Sequence, residues 1–174
     1  MTPTLAQRSA RWLDRLARQC ALLGGVLLMG ILLVTCASVF GRNLLQRSLV
    51  GDFEFTGLAC GVAVALFMPW CQVRRGNILV DFFTARTSVP TVAWLDRCGA
   101  LLVAFCMLGL AWRCAVGGLN AHANSSTSML LGLPHWWVYA GMAPALALAA
   151  LIGLHQALWP QLLLNHLPTQ EAPA

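Results

Sequence analysis

The sequence predicts an all-α integral membrane protein of one domain, residues 1–174, with four transmembrane helices. Both termini are expected in the cytoplasm, with a short amphipathic helix on the membrane surface between the second and third spans. Three features of the chain point there. It is 59% apolar and only 10% charged, with a mean hydropathy of +0.71, whereas soluble domains are about 45–50% apolar and roughly 25% charged. Four stretches reach the ~20 apolar residues that a helix needs to cross a hydrocarbon core of roughly 30 Å. The eleven arginines, with no lysine and six acids beside them, gather in the segments between alternate spans, as they do in chains that cross repeatedly.

The first span, about 20–41, is the clearest: every residue between Arg18 and Arg42 is uncharged. A cleaved leader would have an apolar region of only about 7–15 residues, so this run is read as a retained helix. The second span, about 54–73, contains Pro69. The third, about 95–117, carries Arg113 late in its course. At about 1.5 Å per residue that arginine stands about 24 Å beyond Arg97, where it is expected to reach the far headgroups. The fourth, about 136–158, has no charge. Tryptophan and tyrosine favour the headgroup level, and Trp70, Trp94, Trp112, Trp136, Trp137, Tyr139 and Trp159 fall near the ends of these spans.

Arginine counts orient the chain. Arg8, Arg11, Arg15, Arg18, Arg74, Arg75, Arg86 and Arg97 lie on one side, and Arg42, Arg47 and Arg113 on the other. The positive-inside rule therefore puts both termini and the middle loop in the cytoplasm. In that loop Ile78, Leu79, Phe82 and Phe83 share one face over about 77–86, the pattern of a helix lying on the leaflet. The segment from Gly117 to Ser128 is polar and turn-rich, returning to the membrane through Met129-Leu130-Leu131-Gly132-Leu133-Pro134. The tail, 168–174, reads as disordered.

Little in the chain looks like chemistry. Nucleic-acid binding would need its arginines gathered on a polar surface. The seven cysteines form no CxxC pair and act as small apolar residues in the spans. His122 and His135 fall in the outer loop, His155 near the end of the fourth span and His166 in the tail, a set without two ligands at matching depth for haem. No cofactor or metal is expected, no enzyme activity, and no histidine essential to function. Asp52 and Glu54 stand at the outer start of the second span, Asp81 on the surface helix, and Asp14 and Asp96 among arginines. They read as helix caps, as partners of arginine, or as contacts to another subunit. No ionisable group is expected at mid-membrane.

Small residues are more informative, because helices in lipid associate by close packing. Gly57, Gly61 and Ala65 repeat every four residues on the second span, and Gly141, Ala145, Ala149, Gly153 and Ala157 do so on the fourth. These are the candidate packing or partner faces, directed either at helices of this chain or at another protein.

The order of features is a first span ending in Val39-Phe40-Gly41-Arg42, then Gly51-Asp52-Phe53-Glu54. Arg74-Arg75-Gly76-Asn77-Ile78-Leu79-Val80-Asp81-Phe82 follows, and Ser128 to Tyr139 closes with Pro134-His135-Trp136-Trp137. Over nearly the whole chain this resembles the small membrane subunit of the tripartite ATP-independent periplasmic (TRAP) transporters. Arg42, Glu54, Asp81 and Pro134 are the motif residues. Two positions depart from the family's frequent pattern: Phe53 separates the two acids, and Asn77 stands where histidine is common. The resemblance implies a four-helix scaffold in the bacterial inner membrane, bound to a large multi-span subunit that holds substrate and coupling ions, usually sodium. It also implies a periplasmic solute-binding protein that delivers an organic acid. The alternative is an anchor or assembly subunit of another complex, such as a tripartite tricarboxylate transporter or a respiratory enzyme.

Overall fold

The computed structural model describes residues 5–45, 51–74 and 89–159. They form α1 (Leu5–Leu45), α2 (Asp52–Val73), α3 (Val89–Ala123) and α4 (Trp136–Leu158). Each is long and apolar enough to cross a membrane, and a helix is the open-chain structure that satisfies its own backbone in lipid. The surface helix expected at 77–86 and the tail at 168–174 lie outside the described residues.

The helices stand in a row, α1 beside α2, α2 beside α4 and α4 beside α3, with α1 touching α4 over only a short length. The inner pair, α2 and α4, is a third buried over its most apolar stretch; the outer pair, α1 and α3, only 11%. The faces that α1 and α3 turn outward carry Leu22, Val26, Leu33, Leu102, Phe105 and Trp112, all exposed.

Close contacts fix the register. Along α1 and α2, Ala17 packs with Val73, a Cβ on Gly24 would stand 3.3 Å from the carbonyl of Ala63, and the Ser38 hydroxyl donates to Asp52. Between α3 and α4, a Cβ on Gly118 would stand 2.9 Å from the Cβ of Tyr139, and one on Gly153 would stand 3.1 Å from that of Ala104. The same length of helix separates Ala104 from Gly118 as separates Tyr139 from Gly153, so these two helices run antiparallel without slippage.

α3 does not stop near Gly117 but continues as a helix to Ala123, about 15 Å past Arg113. The arginine lies opposite the Pro144 region of α4, little more than one turn from the level at which Tyr139 meets Gly117 and Gly118.

At the opposite end from Ser38 and Asp52, α1 continues well before its apolar run. Ala10 and Ala17 are buried and Leu13 packs onto Val73 and Ile152, three positions sharing one helix face. Arg8, Arg11, Arg15 and Arg18 are exposed. Here Gln72 Nε2 donates to Gln156 Oε1 at 3.1 Å, and Gln156 Nε2 donates to the Gln72 carbonyl at 2.7 Å. His155, buried, has Nε2 at 3.1 Å from Ser9 Oγ and stands against Trp159. The start of α1 and the end of α4 thus share one end of the row, as four crossings require. His155 is thus a packed side chain, so His155→Ala carries a structural cost.

Gly153→Leu is expected to drive its side chain into Ala104 and the Gln72 amide, costing about 1–3 kcal/mol as overpacking does. Gly57→Leu, with nothing within 4 Å of its Cβ position, should leave stability unchanged. Thermal unfolding of the isolated chain in mild detergent separates the two.

Candidate functional site: an acid-held loop and the outer helix faces

The motif residues converge where α2 begins. Gly51 adopts φ 86°, and a Cβ there would also lie 2.6 Å from Leu131 Cγ, so both conformation and space demand glycine. Asp52 then accepts from the Ser38 hydroxyl and from the Phe53 N–H at 2.7 Å, with the charge of Arg42 favouring its carboxylate.

Glu54, two residues on, reaches across to the loop between α3 and α4. Its carboxylate accepts from the N–H groups of Met129 at 2.9 Å, Leu130 at 3.1 Å and Leu131 at 3.1 Å, and from the Ser128 hydroxyl. An ionised carboxylate has acceptors only, which suits a turn whose amides all point one way.

The rest of the loop closes on itself. α3 ends with Ser125 at φ 47°, while Ser125 N–H donates to the His122 carbonyl and Ser126 N–H to that of Ala121, the Schellman pattern. Thr127 and Pro134 then pair as a single antiparallel bridge. Ser128, buried, donates its N–H to the Leu133 carbonyl and accepts Gly132 N–H at its own carbonyl. Its hydroxyl oxygen accepts the Leu133 N–H. With His135 N–H bonded to the Ser126 carbonyl, every backbone N–H from Ser128 to His135 has an acceptor within the chain. The tip meanwhile exposes Met129, Leu130, Leu131 and Leu133, beside an exposed Phe53.

Arg42, Glu54 and Pro134 are thus gathered at one end of the row, while Asp81 lies outside the described residues. The small residues divide differently. Ala65, Ala145, Ala149 and Ala157 are buried, as is Gly153, and a Cβ on Gly141 would meet Val62 Cγ1 at 3.0 Å. Gly61 has only ordinary contact with Met142, at 3.9 Å, and Gly57 faces open space. The close approaches at Gly24, Gly117 and Gly118 had no signal in the sequence, because their counterparts Ala63 and Tyr139 sit on other helices.

Among the described residues no three His, Cys, Asp or Glu side chains converge as metal ligands would, and all seven cysteines are thiols. The polar groups hold loops and helix ends, and the apolar side chains face outward. Fold and composition together define a multi-pass membrane protein. The chain belongs to the family described as tripartite ATP-independent periplasmic transporters, DctQ component, whose model matches residues 31–162, from mid-α1 to just past α4. It is therefore a TRAP transport subunit, a small permease, and not an enzyme. No curated protein and no solved structure matches it.

Glu54→Ala leaves three amides without their acceptor, at about 1–3 kcal/mol for each group that stays buried. Hydrogen exchange at Met129, Leu130 and Leu131 should accelerate by about tenfold or more, while amides in the middle of α4 keep their wild-type rates. Phe53→Ala, whose ring is exposed, should change neither.

Proposed function

We propose that this subunit is the stationary scaffold of a secondary-active importer in the bacterial inner membrane. It would be bound to a large multi-span membrane subunit and served by a periplasmic solute-binding protein. The solute is an organic acid and the driving force an ion gradient, with sodium the expected ion. One observation carries the scaffold reading: four helices in a single row enclose no interior, so a solute path needs walls from another chain. The inner faces of α2 and α4 are closed by alanine and glycine packing, and the acids of the described residues stand at or before the start of the apolar runs.

The same reading orients the row. The arginine-rich end, with the start of α1 and the end of α4, faces the cytoplasm, and the Glu54-held loop faces the periplasm. Reporter fusions after Leu16, within residues 84–90 and after Leu167 should report cytoplasm, and a fusion near Asn124 should report periplasm. A cytoplasmic signal at Asn124 overturns the orientation.

The scaffold role is tested by uptake into proteoliposomes holding the assembled transporter, with competing organic acids as probes. Substitutions on α2 and α4 that spare assembly should lower the amount of active complex without altering which acids compete. A changed order of competitors would place the solute site partly in this chain.

A further inference from the structure

α1 presents one continuous outward face on which cations give way to apolar side chains. Arg15, Arg18, Leu22, Val26, Met29 and Leu33 follow one another at steps of three and four, which puts them on one side of a helix. All six are exposed, and α1 is an edge of the row, so no other described helix covers them. Gly25, between Leu22 and Met29 on that side, has nothing within 4 Å of its Cβ position and leaves a notch in the apolar part.

The change from charge to hydrocarbon falls at a defined level. Ala17 packs with Val73, the last residue of α2, so Arg15 and Arg18 stand where α2 ends. With 22 residues, α2 is about 33 Å long, the length of one crossing. At that end Arg74 lies over the Trp70 ring at 4.8 Å, and Trp12 is exposed, the aromatic company of the headgroup level. From Leu22 to Leu33 the apolar part runs about 16 Å, which is the depth of one leaflet, half of a core of roughly 30 Å. Asp14 is the single acid of α1, so the head of the strip is cationic.

A ligand that fits both parts has an anion at one end and a hydrocarbon chain of leaflet length at the other. A phosphate accepts paired N–H bonds from arginine. Side chains three positions apart on a helix have Cβ atoms about 5–6 Å apart, close enough for Arg15 and Arg18 to hold one phosphate between them. We infer that this face of α1 binds an anionic phospholipid, its phosphate on Arg15 and Arg18 and one acyl chain along Leu22, Gly25 and Met29. An acidic soluble partner would satisfy the arginines and leave the apolar part bare. The inference needs no partner subunit and stands apart from the scaffold reading.

In the test the full chain is placed in nanodiscs holding equal amounts of phosphatidylglycerol and phosphatidylcholine, and the lipids it retains are counted by native mass spectrometry. Wild type should retain phosphatidylglycerol in preference. Arg15→Gln/Arg18→Gln should lower that preference about tenfold or more, since one arginine near an anionic surface contributes about fivefold. Arg97→Gln, which removes an exposed arginine from the start of α3, should leave the preference unchanged. An excess of glycerophosphoglycerol, the same headgroup without chains, should not displace the lipid. Because both arginines are exposed, the double variant should unfold at the wild-type temperature in neutral detergent, and Arg15→Gln alone, with a smaller loss, decides the matter if it does not fold.

Equal retention of the two lipids by wild type overturns the inference. So does an equal loss in Arg97→Gln, which would reduce the preference to diffuse charge, and so does displacement by glycerophosphoglycerol, which would leave an anion site without a lipid strip. If the double variant keeps its phosphatidylglycerol but no longer co-purifies with the large subunit, a protein covers this face and the inference fails while the scaffold reading stands.

Discussion

Lipid supplies no hydrogen bonds, and most of this structure follows from that. The backbone is wound into four helices because each then satisfies itself. Where winding has to stop between α3 and α4, the chain meets the same demand by other means. One carboxylate takes three amides, a buried serine serves the opposite side of the turn, and proline removes the need for one donor. At the other end Gln72 and Gln156 exchange hydrogen bonds with each other and with a backbone carbonyl, so a polar pair sits in a packed interface without a loose end. Glu54 is thus better understood as part of the loop's backbone accounting than as a ligand-binding acid.

Packing in the row depends on residues that lack bulk. Without a hydrophobic force between helices in lipid, contact area and close approach decide association. Gly153 lets α3 and the Gln72 amide approach α4 together, and Gly117 with Gly118 forms the floor on which Tyr139 stands. These contacts tie α4 to both neighbours and α2 to α1, and they leave α1 and α3 with broad apolar outer faces. A row of this kind has two sides and two edges available to lipid or protein. That geometry suits a subunit that widens another protein.

The four spans were legible because they depend on local composition, above all the length of apolar run. The small-residue steps on α4 were legible for the same reason. What stayed hidden depends on pairs distant in sequence. Glu54 and its three amides are separated by 75 to 77 positions, so no local pattern joins the acid to the Met129-Leu130-Leu131 turn, although both stand in the family motif. His155 looked like an end residue until α1 proved to extend far enough to bring Ser9 beside it. Gly57 follows the same four-residue step as Ala65, yet only Ala65 lies on a face that another helix of this chain covers. The true end of α3 was hidden because a terminal polar segment, Asn120 to Ala123, looks like loop in sequence but continues the helix in space.

The apolar outer faces of α1 and α3 alone do not place the subunit in a complex, since lipid tails are as apolar as leucine and such a face sits equally well against either. What distinguishes the row from a loose set of spans is how its ends are tied. At one end Asp52 holds Ser38 of α1 and Glu54 holds the turn between α3 and α4, and at the other Gln72 and Gln156 join α2 to α4 while Ser9 meets His155. Each of these contacts joins segments distant in sequence, so none of the helices can slide without breaking a polar bond at an end. A row held in register in this way keeps its shape, and a fixed shape is what a stationary element needs if another element is to move against it.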